Sequence, residues 1–588
     1  MIRSITSSLP SFKKLRFHEG LNVLLAEKTK GANDRQTRNG VGKTSFVELV
    51  HFLMGGNCGP DHFLQSPALS SHGYAIDFDL ADLPVTVERV PEQKKRLAIL
   101  DGDVSSWPEK PKLNKKSGHL SLSNAHWCTV LGTKMFGLPA EDADDTDRFG
   151  PSFRSLFSYF ARRQRSGGLV TPAKQAEEQL PYDQQVALSY LLGLDASIPQ
   201  SLQSVRQREK ALGEVRKAAK DGAFGDLVPK AADLRTKLTV QEARLNKLRE
   251  QLVSFRVVPE YSALEREASE ITTRLSALVN DNHMDRDLVR RLEDAMQAEA
   301  PPQYADVRRA YEEAGVSLPG LVQKRFEEVQ RFHLSIIENR RSHLRSELQA
   351  AQRRIEERDH EKVGLDHRRA EIMGILQSGG ALEHFMHLQG ELARLESDTE
   401  SLRRRFEAAE TFERKDAQLG VERARIHQRL KDDHREQKLA IDDAILSFEE
   451  LSSDLYEKAG SLTVSDAPNG PTFEVRIEGS RSLGITNMQI FCFDMMLMEL
   501  CLRRGMGPRF LIHDSHLFDG VDERQVARAL ELGAKRARGL GFQYIVTMNE
   551  DAVPRGAFTS SFKFDEHVLP TRLMDAHDDG GLFGLRFE

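Results

Sequence analysis

The sequence predicts an α/β P-loop head that is split between the two ends of the chain and joined by an antiparallel α-helical coiled-coil insert. Three observations carry this prediction. A glycine loop of the phosphate-cradling kind, Asn39-Gly40-Val41-Gly42-Lys43-Thr44, lies near one end. An apolar run closing on an acid, Phe510-Leu511-Ile512-His513-Asp514, lies near the other. The long charged stretch between them repeats Leu at coiled-coil spacing. Two halves of one core set this far apart need a return path, and a helical hairpin supplies it. The expected organisation is an N-terminal lobe over 1–200, an arm over 201–455 with a distal tip near 280–335, and a C-terminal lobe over 456–588.

Composition agrees with a head diluted by solvated helices. The 588 residues suffice for a sizeable core and, by length, for about three or four domains. A hydrophobic share of 39% stands beside a charged share of 29%. The net charge of -6 excludes a bulk polycation, so nucleic-acid contact would have to come from local patches. Met1-Ile2-Arg3-Ser4-Ile5-Thr6 has no apolar signal core, and no run approaches the ~20 apolar residues that span a bilayer. A cytoplasmic location without membrane association is expected. Cys58, Cys128, Cys492 and Cys501 form no CxxC pair and sit mostly among apolar neighbours, which reads as buried thiols rather than disulfides or zinc ligands.

In the N-terminal lobe, Phe12 to Phe17 and Leu21 to Leu25 read as two strands around the turn at Glu19-Gly20, with a helix from Ser45 onward. Strand, glycine loop and helix in this order suit phosphate binding. Gly40 and Gly42 leave consecutive backbone N–H groups open to an anion at a helix N-terminus. The predicted ATP-binding set is Asn39, Gly40, Val41, Gly42, Lys43, Thr44 and Ser45. Lys43 would reach the β and γ phosphates, and the Thr44 hydroxyl would ligate magnesium. Thr37 stands where the usual motif has its first glycine, and the polar run Lys28 to Arg38 is either a flap that orders on binding or a solvated linker.

At the other end, Arg509 to Ile512 reads as a short strand, and Asp514 beyond it would hold magnesium through water, as a Walker-B acid does. Ser515 follows, where hydrolytic enzymes of this kind usually place Glu. His516, Asp519 and Asp522 are the nearby candidates for its catalytic role, each also explicable as a turn or cap residue. A second strand, Phe542 to Thr547, leads to Met548-Asn549, where many such ATPases carry a γ-phosphate-sensing His. Ser480 to Asn487 precedes an apolar helix, Met488 to Leu502, about 30 residues before Asp514. This is the placement of a signature turn; Ser482 and Gly484 are its match to L-S-G-G-Q, and an ordinary helix cap is the alternative.

These elements, together with Asp522-Glu523-Arg524-Gln525 placed like a D-loop, resemble the SMC and RecN/RecF class of ABC ATPases. R-N-G-V-G-K-T at 38–44, F-R-S-L-F-S-Y-F at 153–160 and F-L-I-H-D-S-H-L-F-D-G-V-D at 510–522 resemble, more narrowly, the bacterial SMC-like ATPases of three-component ABC conflict systems. The resemblance covers most of the chain and is strongest at its two ends. It implies a split ABC-type P-loop ATPase head, a homodimer that sandwiches ATP and Mg2+ between heads, and a role in defence against invading DNA with partner proteins encoded alongside. Asp514-Ser515 looks like that group's own pattern, so Ser515 alone does not mark a dead site, although it leaves the general base unassigned.

Between the ends, Tyr74 to Asp79 and Val85 to Arg89 alternate as strands do, and Pro108 to Lys116 reads as an exposed loop. Lys94, Lys95, Arg96, Lys110, Lys112, Lys115 and Lys116 form either a DNA-facing edge or a solvated face. Gln164 is the candidate Q-loop glutamine that senses the metal. Leu234, Leu238, Leu245, Leu248 and Leu252 on one limb, and Leu388, Leu392, Leu395, Leu402 and Phe406 on the other, trace one apolar seam each, so antiparallel pairing is expected. Pro259 and Gly379-Gly380 mark joints, and Pro301-Pro302 and Ser317 to Gly320 bracket the tip. The tip lacks CxxC, which disfavours a zinc hook. Two other functions share this architecture: an ATP-gated scaffold with negligible hydrolysis, and a RecN-like repair ATPase.

Overall fold

The computed structural model describes residues 1–27, 42–115, 117–140, 149–220, 230–254, 259–298, 320–376, 382–456, 459–476, 483–574 and 579–585. The chain forms two compact units. One comprises Met1–Arg206, Glu422–Glu588 and the short segment Leu318–Arg325; the other comprises Gln207–Ser317 and Phe326–Val421.

The first unit is an α/β head built on two sheets. Its parallel sheet runs in the order Phe510–His513, Gln543–Asn549, Gly20–Glu27, Leu573–Met574. A parallel bridge from Ala161 to Ile512 extends it on the outer side of the first strand. Leu21, Val23, Leu24, Leu25, Ile512, Ile545 and Val546 are all buried, the near-continuous apolar pattern of a sheet covered on both faces. Helices Lys438–Leu455, Leu483–Arg503 and Glu523–Leu540 pack with one another, and the last two also pack on this sheet. Gly20–Glu27, from one end of the chain, lies between the strands Gln543–Asn549 and Leu573–Met574 from the other. Gln543 rivets them: its amide accepts from Ile2 N–H at 2.6 Å and donates to the carbonyls of Ile2 at 2.8 Å and His18 at 3.0 Å.

The second sheet is antiparallel, in the order Leu15–Arg16, Ile2–Ser7, Tyr74–Leu80, Leu83–Arg89, Arg96–Gly102, Leu120–Ser123, Lys112–Leu113. Tyr74, Ile76 and Phe78 face the core while Asp77 and Asp79 face outward. Ala81 and Asp82, both at positive φ, make the two-residue hairpin turn. The two strands expected around the Glu19-Gly20 turn do not lie in one sheet. Leu15–Arg16 pairs with Ile2–Ser7, while Gly20–Glu27 enters the parallel sheet, so the Glu19-Gly20 turn passes the chain from one sheet to the other. Phe12 is spent on aromatic contacts with Tyr74 and Phe583 instead of a ladder. The helix after the glycine loop starts at Lys43, two residues before Ser45.

The second unit is the helical arm, containing Ala231–Ser254, Pro259–Ala298, most of Gly320–Leu376 and Leu382–Val421 of the helix Leu382–Glu436. Arg403 meets Glu242 at 2.6 Å, Arg249 meets Glu396 at 2.6 Å, Arg368 meets Glu267 at 2.9 Å and Arg274 meets Glu361 at 2.7 Å. Residue numbers rise along one limb as they fall along the other, which is antiparallel pairing. Such exposed pairs each contribute about 0–1 kcal/mol, so they set register while the apolar seam holds the limbs together. Leu234 packs with Leu402, Phe406 and Ala409, and Ala268, Ile271 and Leu275 pack with Ile372 and Leu376. Pro259 opens its helix, where its missing N–H costs no hydrogen bond. Gly379-Gly380 and the tip residues Pro301 to Pro319 lie outside the described residues.

Cys58, Cys492 and Cys501 are buried, Cys128 is half-buried, and all four are free thiols. Among the described residues, the helix Leu483–Arg503 is long and apolar enough to cross a membrane, and 83% of its apolar window is buried inside the head.

Candidate nucleotide site

The parallel sheet brings the ends of three strands side by side. Glu27 ends the strand that leads into the glycine loop, Asp514 follows the strand Phe510–His513, and Asn549 ends the strand between them. Strand alternation places Thr547 and Asn549 on one face of that middle strand. Thr547 Oγ1 donates to Asp514 Oδ1 at 2.9 Å and accepts from the Ser515 amide at 3.1 Å. Asn549 Oδ1 accepts from Lys43 Nζ. The middle strand therefore holds both Lys43 and Asp514. Thr547 escaped notice in the sequence because Thr is an ordinary strand former. Asn549 was noticed only as a missing His.

Gly42 adopts the left-handed conformation, with φ of 96°, and caps the helix Lys43–Leu53, in whose first turn Ser45 also lies. Lys43 is buried behind it. Asn39, Gly40 and Val41 lie outside the described residues. Asp514 is 1% exposed. Burial works against its charge, but His516, Thr547 and a hydrogen bond from the Thr44 side chain outweigh burial and hold its carboxyl below the ordinary value. Ser515 Oγ donates to Asp514 Oδ1 at 3.1 Å. The other carboxylate oxygen, Oδ2, is buried without a hydrogen bond; its neighbour is His516 Nδ1 at 3.4 Å. An ionised carboxylate linked to the Thr44 hydroxyl is a hard-oxygen set that fits magnesium completed by phosphate oxygens and water.

The remaining predicted residues separate into those that face this centre and those that do not. His516 is partly exposed, and Asp514 raises its pKa against the opposing effect of burial. Asp519 acts on His516 by charge, and its carbonyl accepts from Asn487 Nδ2 at 3.0 Å. Asp522 caps the helix Glu523–Leu540, accepting from the Arg524 amide at 2.9 Å. Gln164 is exposed in a short turn just past the Ala161–Ile512 bridge. Next to it, Arg163 pairs with Glu48 on the helix that follows the glycine loop, Nε to Oε1 at 2.9 Å.

Ser482 lies outside the described residues, while Gly484 sits in the first turn of the helix Leu483–Arg503. A Cβ on Gly484 would stand 2.3 Å from the Gly520 carbonyl oxygen, so only glycine permits this approach. Asn487 adds a hydrogen bond to the His516 carbonyl at 3.3 Å. The signature-like turn is thus bolted to the loop that follows Asp514. Of the proposed basic edge, Lys95, Arg96, Lys112 and Lys115 are exposed, Lys110 is spent on the Ser105 carbonyl, and Lys116 lies outside the described residues. Asp77 and Asp79 face outward on the same sheet.

A buried charge network lies behind the site. Arg162, 1% exposed, makes a bidentate pair with Asp494 at 2.6–2.9 Å and donates to the carbonyls of Gly168 and Pro172. His513 Nε2 lies 3.3 Å from the same carboxylate, with Nδ1 3.0 Å from the Tyr544 hydroxyl. Burial lowers the His513 pKa and keeps the ring neutral. The single charge of Asp494 inside an apolar run was the available sequence signal, whereas Arg162 opens the basic run Arg162-Arg163-Gln164-Arg165 and does not stand out.

Residues 286–413 match the family model described as C-terminal domain 10 of the ABC-three component (ABC-3C) systems. Residues 451–587 match a second model, described as an uncharacterised protein conserved in bacteria (DUF2326). The uncharacterized protein YydD of Bacillus subtilis (strain 168) is 21% identical over 577 residues, 93% of this chain and 92% of that protein. Similar solved structures include the Smc head domain with a coiled coil and joint from Pyrococcus yayanosii, at TM-score 0.32 and 15% identity over 95% of this chain and 93% of that one. Another is the Smc head domain with an extended coiled coil bound to the C-terminal domain of ScpA from Pyrococcus furiosus, at TM-score 0.34 and 10% identity over 95% and 91%. The chain thus comprises a head assembled from both chain ends and an antiparallel helical arm, with a stretch over 286–413 that is similar to C-terminal domain 10 of the ABC-three component systems.

Proposed function

We propose that this chain is an ATPase that binds ATP with Mg2+ between two heads and uses the closed state to switch a partner effector in bacterial defence against invading DNA. One observation carries the reading: Thr44 and Thr547 converge on the ionised Asp514 while Lys43 lies against Asn549 at the same sheet edge. Asn39, Gly40, Val41 and Gly42 would wrap the phosphates with backbone N–H groups, with Lys43 and Ser45 completing the cradle. Thr44 and Asp514 would hold the magnesium, which neutralises phosphate charge, and Gln164 would report its presence. Ser482 and Gly484 of a second copy would close on the γ-phosphate. His516 is our choice to orient the attacking water, because it is the partly exposed titratable group beside Asp514.

Binding energy realised only in the closed dimer would shift the population toward it, and hydrolysis would reset the switch. DNA would bias closure, and the chain would act in the cytoplasm. Steady-state ATP hydrolysis by the purified chain, with and without linear and circular DNA and with Lys43→Ala as the blank, tests this. Turnover above the blank and stimulation by DNA are expected. Binding without turnover, with DNA and partners present, would favour the ATP-gated scaffold instead, a reading supported by the Ser515 hydroxyl being committed to Asp514. A RecN-like repair role shares the chemistry, and neighbouring genes separate it from defence.

A further inference from the structure

The segment Thr571–Leu585 reaches both ends of the stretch that carries the glycine loop. At the entry, Leu573 and Met574 pair in parallel with Ala26 and Glu27, the last described residues before the loop, and Arg572 forms an ion pair with Glu27. At the exit, Leu582 is fully buried and packs on Gly42; a Cβ at Gly42 would stand 2.9 Å from Leu582 Cβ and 3.3 Å from its amide nitrogen. The two contacts are linked, because the Met574 amide donates at 2.8 Å to the carbonyl of Gly580, on the turn over 579–585 that carries Leu582.

This turn is itself fastened to the N-terminal residues. Lys13 Nζ donates to the carbonyls of Gly580 at 2.6 Å and Arg572 at 3.1 Å, and the Lys13 amide donates to the Leu582 carbonyl at 2.9 Å. Ser11 Oγ donates to the Phe583 carbonyl at 2.7 Å, and Thr571 Oγ1 donates to the Lys14 carbonyl at 2.7 Å. Phe583 is 1% exposed and packs edge-on against Phe12, Phe63 and Tyr74. The carbonyls held by Lys13 are those of Arg572, beside the entry, and Gly580, before Leu582 at the exit.

We infer that this C-terminal turn is a strap that fixes the distance and orientation between Glu27 and Gly42, and that Lys13, Arg572 and Leu582 are positioning residues of the nucleotide site. The inference rests on the ATP reading above. A phosphate cradle works only if its N–H groups are aimed before the ligand arrives, and a loop anchored at both ends keeps that aim at lower entropic cost.

Limited trypsin digestion of the full chain, combined with binding of a fluorescent ATP analogue with Mg2+, tests the strap. Lys28, Lys30, Arg35 and Arg38 supply cleavage sites inside the bracketed stretch. Lys13→Met and Leu582→Ala are expected to speed cleavage there about fivefold and to weaken analogue binding about tenfold, with Lys13→Arg restoring part of both. The thermal midpoint separates this from general unfolding, since it should move far less for Lys13→Met than for Leu582→Ala. Cleavage and affinity that stay at the unmodified level in Lys13→Met and in Arg572→Ala would overturn the strap. If the unmodified chain fails to bind the analogue, the ATP reading falls, and the cleavage arm alone still decides whether the strap anchors the loop.

Discussion

Thr547 donates its hydroxyl to Asp514 Oδ1 at 2.9 Å from a strand that also carries Asn549, the partner of Lys43. The strand order makes this possible: the strands Phe510–His513 and Gly20–Glu27 are not neighbours, and Gln543–Asn549 lies between them.

Thr547→Val keeps the shape and removes the donor. Hydrogen bonds to charged groups contribute about 1.5–3 kcal/mol, so turnover should fall about tenfold or more. The magnesium concentration for half-maximal rate should rise, and Thr547→Ser should recover most of the loss. A magnesium titration of ATP hydrolysis is the check, and an unchanged magnesium dependence would refute the assignment.

Asn549→Ala removes one hydrogen-bond acceptor from Lys43. The expected outcome is a lower turnover, by about tenfold, with nucleotide affinity changed less than about threefold, the pattern of an interaction used after binding. Parallel measurement of binding and single-turnover hydrolysis separates the two. Lys43→Ala should instead lose binding.

Gly484→Ala forces a methyl group to 2.3 Å from the Gly520 oxygen unless the turn and the loop after Asp514 move apart. ATP binding to the isolated head should survive, because the contact does not touch the cradle. Hydrolysis and ATP-dependent association of heads should both fall, as followed by turnover and light scattering. Full activity in this variant would show that the approach is incidental.

Breaking the buried Arg162–Asp494 pair from one side leaves an uncompensated charge. Arg162→Met or Asp494→Leu alone should cost about 3–5 kcal/mol, and the double substitution should cost less than either. Urea midpoints of the three variants give the comparison. Additive losses would contradict it.

His51 is pushed down to about 4 by burial and then by the charge of Arg163, and His62 is pushed down to about 4, chiefly by burial. Both are neutral in the fold at neutral pH. Above about pH 6.5 they are neutral in the unfolded chain as well, and no stability is lost. As pH falls from about 6.5 toward 4, the unfolded chain takes up protons that the fold refuses, and stability drops by about 3 kcal/mol for each histidine. Urea midpoints at pH 7.5, 6 and 5 should show this decline. His51→Gln, which retains a donor for the Ala161 carbonyl, should flatten it.

Local patterns were enough to read the strand ends, the apolar helix before Asp514 and the two leucine seams of the arm, because each rests on a period or a motif within a few residues. Gly42, Lys43 and Asp514 were legible as members of one candidate site for the same reason. The Phe12–Phe17 strand was misread because Phe12 answers to Tyr74 and Phe583, which no local window contains.

The amino-acid order dictated an α/β head divided by a helical hairpin, since strand patterning and heptad periodicity are properties of short segments. Tertiary structure alone decided which polar groups meet. Thr547 on Asp514, Asn549 on Lys43, Arg162 on Asp494 and the strap from Arg572 to Leu582 all join positions far apart in the chain. Each pairing depends on which strands lie side by side in the sheet, and strand neighbours are chosen by burial of the whole core rather than by any one segment.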